Sequence, residues 1–201
     1  MRIGGLQKFS LSDFPGIPAA IIFTQGCNFR CPFCHNGSLL LMHGENELDV
    51  ETVLEWLKSR AGKLEGVVVT GGEPCFHADL PEFLLQIKDL GFKVKLDSNG
   101  SFPEMLEKVL DRGLVDFVAM DIKASWENYD TLCGTVVEKE TITKSIESIV
   151  QSGVPHLFRT TFVPALMEEQ ETEDIAKMLP QNSSYKIQEF RPETALDPHL
   201  R

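Results

Sequence analysis

Short apolar runs alternate along this chain with longer stretches in which apolar residues recur at three- and four-residue intervals. The first pattern is that of strands covered on both faces, the second that of helices with one buried face. Residues 19–24 and 67–70 read as covered strands, and further strands are predicted at 116–120, 157–163 and 185–190. In 92–96, Lys93 and Lys95 alternate with apolar residues, the mark of a strand with one open face. Helices fall between them. Residues 48–62 place Val50, Val53, Leu54, Leu57 and Ala61 on one side, with Asp49 able to cap the start and Gly62 to stop it. Residues 79–90 do the same with Leu80, Phe83, Leu84 and Ile87. Ser101 and Glu104 have capping-box spacing and open a helix that Gly113 ends. Residues 140–152 and 170–179 complete the set, and residues 1–16 read as an N-terminal hairpin or cover strand.

Strand–helix alternation implies parallel strands joined by right-handed crossovers. Six such units fall short of the eight that close a barrel. The expectation is an α/β fold, an open, partial (β/α)6 barrel of parallel strands forming one domain over 1–201. Sites in such folds gather where the strands end.

Composition narrows the function. The formal net charge of −11 argues against nucleic acid or an anionic membrane as partner, because both require a basic footprint. No apolar run is long enough to span a bilayer, and no secretory signal precedes Ile3, so a cytoplasmic protein is expected. Five cysteines with three clustered do not form a disulfide framework and suit a reducing compartment.

Those three cysteines are the sharpest chemical signal. Cys27, Cys31 and Cys34 follow the first covered strand with spacing Cys-x3-Cys-x2-Cys and no fourth close by. A structural zinc site takes four ligands, as does an electron-transfer [4Fe–4S] cluster. Three thiolates on a four-iron cube leave one iron open to bind a second molecule. The competing reading is a zinc loop that borrows Cys75.

Unusual residues end the later strands too. Gly71-Gly72-Glu73-Pro74 is either a tight turn or a place where backbone approaches a ligand, with a carboxylate suited to an ammonium group. Asp97-Ser98-Asn99-Gly100 is either an Asn-Gly turn or a set of polar groups facing a ligand. Asp121 and Lys123 are either solvated or grip a carboxylate or substrate backbone. Arg159 interrupts an apolar strand, where a charge requires a partner: a ligand carboxylate or a neighbouring acid. Phe33 is either a core residue or, beside a ligating Cys, an aromatic surface for an adenine face, and His35 can reach a sulfide or serve as a plain loop residue. Cys75 and Cys133 are expected to be packed free thiols, while His77 and His156 show no partner pattern.

The cysteine spacing with Phe33, followed by Gly-Gly-Glu-Pro after the next strand, resembles the radical S-adenosylmethionine superfamily. The segments 5–16 and 23–36, with Lys-Leu-Asp-Ser-Asn-Gly, Ala-Met-Asp-Ile-Lys and Phe-Arg-Thr-Thr-Phe-Val-Pro, resemble anaerobic ribonucleotide reductase activating proteins. Pyruvate formate-lyase activating enzymes look similar. The resemblance implies that Cys27, Cys31 and Cys34 hold a [4Fe–4S] cluster whose open iron chelates S-adenosylmethionine. Gly71, Gly72 and Glu73 would hold the methionine amino group, and Asp97, Ser98 and Asn99 would face the ribose and methionine. Asp121, Arg159 and Phe33 would complete that site, with Lys123 a substrate contact. It further implies one-electron reduction by flavodoxin or ferredoxin, cleavage to a 5′-deoxyadenosyl radical, and removal of a glycine Cα hydrogen from a partner enzyme. The rivals are a small-molecule radical enzyme of the carboxy-deazaguanine synthase kind and a non-catalytic iron–sulfur or zinc module.

Overall fold

The computed structural model describes residues 1–201. Seven strands form one sheet in the order of the chain: β1 Ile3–Ser10, β2 Ala19–Thr24, β3 Gly66–Gly71, β4 Lys93–Ser98, β5 Phe117–Asp121, β6 His156–Phe162 and β7 Tyr185–Glu189. Strands β2 to β7 are parallel, and β1 pairs antiparallel with β2, so the N-terminal segment is both hairpin arm and cover strand. No ladder joins β7 to β1, and the sheet stays open. The helices are α1 Val50–Lys58, α2 Leu80–Asp89, α3 Pro103–Asp111, α4 Tyr129–Cys133, α5 Lys139–Ser152 and α6 Glu169–Met178. None is long and apolar enough to cross a membrane.

Local chemistry explains most boundaries. Asp49 accepts from Thr52 N at 2.9 Å and caps α1, whose Val53 and Leu57 face the core. Helix α3 starts differently from expectation. Phe102 occupies its N-cap position with no side-chain bond, and Pro103 supplies the preset first turn. The Ser101 hydroxyl turns instead toward Asn28 and Asn99. Helix α4 has too few residues to leave a period in the sequence. It ends on Gly134 at φ 64°, in the left-handed region that glycine enters without strain.

Strand alternation divides the sheet into two faces. Ala20, Ile22, Val67, Val69, Val94 and Leu96 join the large core with the helices. The opposite parity builds the inner face, where Ile21 pairs with Val68, Val68 with Lys95, and Lys95 with Phe117. Phe14 and Ile17 from the β1–β2 connection pack onto this face with Ala19, Ile21 and Val68. Nearer the strand ends the same parity carries Thr70, Asp97, Asp121 and Arg159. The inner face is thus apolar at one end and polar at the other.

A candidate active site at the strand ends

The polar end of the inner face opens into a cleft lined by Cys27, Cys31, Cys34, the 70–73 turn, residues 97–99, Asp121, Lys123, Arg159, Thr161 and Gln188. All three clustered cysteines face it, whereas Cys75 and Cys133 do not line it. The loop that carries them is fixed by backbone bonds: Gly26 N to Leu39 O at 2.7 Å, Cys34 N to Cys31 O at 3.0 Å, and Arg30 N to Cys133 O at 2.8 Å. Phe29 and Phe33 of the same loop are buried and line the cleft with the thiols. No three His, Cys, Asp or Glu side chains converge on a single-ion position. Three thiols on one cleft wall are the donor set of a four-iron cube with one open iron.

Burial pushes the Cys27 thiol up to about 12 and also raises Cys34, with the nearby Glu73 carboxylate adding to the effect at Cys27. A hydrogen bond from the Cys133 thiol brings Cys31 down to about 7 despite burial. The Lys123 ammonium favours the thiolate at all three. Cys133 is buried and free, and its carbonyl holds the loop through Arg30 N. Cys75 is buried behind Glu73.

The Gly71-Gly72-Glu73 segment lies against the cysteine loop. At Gly71, φ 121°, a Cβ would sit 2.2 Å from Thr24 N, and at Gly72 it would sit 2.1 Å from Gly26 O. Glycine is required there by close approach to β2 and the loop, independently of any ligand. Glu73 departs from expectation. Its carboxylate accepts from Asn99 N at 2.7 Å, Cys75 N at 3.0 Å and Ser98 Oγ at 2.8 Å, and it is 1% exposed. Burial raises its pKa, these donors acting the other way. Through these bonds it ties the turn after β3 to β4.

Ser98 and Asn99 are likewise occupied. Ser98 accepts from Gly100 N at 3.1 Å while donating to Glu73, so its hydroxyl is engaged within the protein. Asn99 lies against Asn28, Ser101 and the Cys27 sulfur.

Arg159 finds neighbouring acids. It donates to Asp121 Oδ1 at 2.8 Å and to Asp97 Oδ2 at 3.2 Å. Lys95 pairs with the other oxygen of Asp97, and Lys123 reaches Asp121 Oδ2 at 3.1 Å. The five charges form a chain across β4, β5 and β6. Burial opposes ionisation of Asp121, but Arg159 and Lys123 more than reverse that and hold it at about 2. Lys123 also sits 6.0 Å over the Phe33 ring, directly beside the thiols.

Several residues in and around the cleft make contacts that the sequence does not show. Lys95 is 3% exposed although alternation puts it on an open face. That face is the closed interior of the sheet. Asn36 donates to Gly71 O at 3.3 Å, and His35 stacks on Phe190 with ring centroids 5.7 Å apart. Thr161 and Gln188 share the parity that puts Arg159 in the cleft, which is the signal that finds them. His77 lies 2.9 Å from Gln25 O, and His156 contacts Val154 O and Ser183 Oγ, so both are structural.

The family model of the Radical SAM superfamily matches residues 21–179. A Methanocaldococcus jannaschii protein provisionally named a glycyl-radical enzyme activating enzyme is 34% identical over 99% of this chain and 84% of its own. The pyruvate formate-lyase-activating enzyme of Clostridium pasteurianum is 31% identical over 85% of this chain and 72% of its own. Among solved structures, anSMEcpe with bound AdoMet superposes at TM-score 0.66, with 16% identity, over 88% of this chain and 54% of that one. That likeness establishes the fold.

Proposed function

This chain belongs to the Radical SAM superfamily and, within it, to the glycyl-radical enzyme activating enzymes, and we propose that its partner is anaerobic ribonucleoside-triphosphate reductase. Enzymes of this superfamily use a [4Fe–4S] cluster and S-adenosylmethionine. The cleft suits both, since a wall carrying three thiols faces polar groups at the ends of the parallel strands. Cys27, Cys31 and Cys34 would hold the cluster. The backbone of Gly71, Gly72 and Glu73, with Asp97, Asp121, Arg159 and Phe33, would hold the nucleotide. When bound, the reduced cluster and S-adenosylmethionine supply a 5′-deoxyadenosyl radical able to take a glycine Cα hydrogen.

The observation that carries the reading is three cleft-facing thiols with no fourth cysteine lining the same space. Such a donor set leaves one iron of a cube for the nucleotide. The chain's own groups orient and shield. Lys123 places a positive charge beside the thiolates, Arg159 fixes both carboxylates, and the packed inner face excludes water from below. Flavodoxin or ferredoxin is the proposed one-electron donor.

The reductase assignment rests on the resemblance of segments 5–16 and 23–36 to its activating proteins. A pyruvate formate-lyase type of target is the second reading, favoured by the clostridial relative. The test is anaerobic reconstitution followed by reduction with each candidate partner present. The expected result is 5′-deoxyadenosine together with a glycyl radical signal in electron paramagnetic resonance on the reductase. A signal on pyruvate formate-lyase alone selects the second reading, and absence of nucleotide cleavage rejects both.

A further inference from the structure

The Asn99 side chain is 5% exposed and every one of its hydrogen-bonding positions is engaged. Its Oδ1 accepts from Ser101 N at 2.9 Å. A backbone N–H can only donate, so that bond fixes the orientation of the amide. The Nδ2 group must then point the other way. One of its hydrogens goes to Asn28 Oδ1 at 3.1 Å, and the other is directed at Cys27 Sγ, 3.9 Å away. Asn28 in turn donates to Ser101 Oγ at 2.9 Å, closing a ring of three side chains. Asn99 N is held by Glu73 at 2.7 Å, which locks the residue to β3 as well. Phe29 N is the second donor to the same sulfur, at 3.4 Å. Cys27 thus receives one backbone and one side-chain N–H.

We propose that Asn99 is a positioning residue that directs an N–H at the Cys27 thiolate and thereby sets the reduction potential of the cluster. The inference rests on the function proposed above and revises the expectation that Asn99 faces the nucleotide. A hydrogen bond to a ligating sulfur stabilises the more electron-rich, reduced state, and this is one of the levers by which proteins tune such clusters. Placing the donor on the turn after β4 couples the potential to the Glu73 strut that ties β3 to β4.

The test is the midpoint potential of the reconstituted holoprotein, with iron content and S-adenosylmethionine binding measured alongside. Asn99→Asp keeps an acceptor for Ser101 N while replacing the N–H by a carboxylate oxygen. Asn99→Ala removes the donor without adding charge and stands in if the aspartate variant loads poorly. The expected result is full iron content, unchanged nucleotide affinity and a negative shift. A tenfold loss of preference for the reduced state corresponds to ~59 mV for one electron. The aspartate variant should shift further than the alanine. An unchanged potential overturns the inference, and an unchanged potential with weakened nucleotide binding returns Asn99 to the ligand site. Wild-type protein that takes up no four-iron cluster overturns the proposed function, and this inference with it.

Discussion

The Glu73 carboxylate takes hydrogen bonds from two backbone N–H groups and one hydroxyl, all at 3.0 Å or less. Glu73→Gln would turn an NH2 toward one of those donors and leave a buried N–H unpaired, a loss of about 1–3 kcal/mol. The expected outcome is a lower unfolding midpoint in the protein without nucleotide, read by anaerobic denaturant titration. A residue that served only a ligand ammonium would leave that midpoint unmoved. Cysteine substitutions divide as sharply. Cys75→Ala and Cys133→Ala should each retain full iron content, while alanine at Cys27, Cys31 or Cys34 should abolish it. Loss of iron in Cys133→Ala would make that residue a ligand and remove the open coordination position. The cysteine triplet was legible in the sequence because spacing alone reports it. The partners of Glu73 and Arg159 were not, since they come from other strands at separations such as Asp97 to Arg159 that no local pattern records.

Parallel strands and their helices were legible because each carries its own period, and α1 and α2 begin and end within a few residues of expectation. Helix α4 was not legible, being too short for a period, yet it supports the cysteine loop. Cys133 O accepts from Arg30 N, and a Cβ at Gly134 would sit 2.4 Å from Arg30 O. Gly134→Ala therefore meets both left-handed strain, about 1–2 kcal/mol, and a backbone clash with the segment between Cys27 and Cys31. Gly153 ends α5 at φ 70° with nothing near its missing Cβ. Gly153→Ala then carries the strain alone. Iron per chain should fall in Gly134→Ala and stay full in Gly153→Ala, although both lower the melting temperature. Equal iron in the two variants would show that α4 does not support the loop. Ser101 carries a related lesson: its spacing to Glu104 is that of a cap, but Asn28 and Asn99 compete for the hydroxyl, and the competing residues are brought there by β2 and β4.

The inner face of the sheet runs from an apolar plug to a charged cleft, and the transition occurs within one strand at Lys95 and Asp97. Phe14 forms much of the plug. It is 3% exposed, lies 6.1 Å from the Phe117 ring, and fills the space over Gly66, where a Cβ would meet its ring at 2.8 Å. Truncating such a side chain typically costs about 3–5 kcal/mol, the lost burial plus the cavity left among Ile21, Val68 and Phe117. Phe14→Ala should lower the denaturation midpoint by that order yet preserve iron content, since no plug residue touches the cysteine loop. Arg159→Gln should also be destabilising, but by less and for the opposite reason: it removes the cation that Asp97 and Asp121 share and leaves each carboxylate with one lysine. If the plug and the charge chain act as separate layers of one sheet, Phe14→Ala and Arg159→Gln should add in the double variant. Marked non-additivity in either direction would mean that the lower end of the sheet shapes the cleft directly.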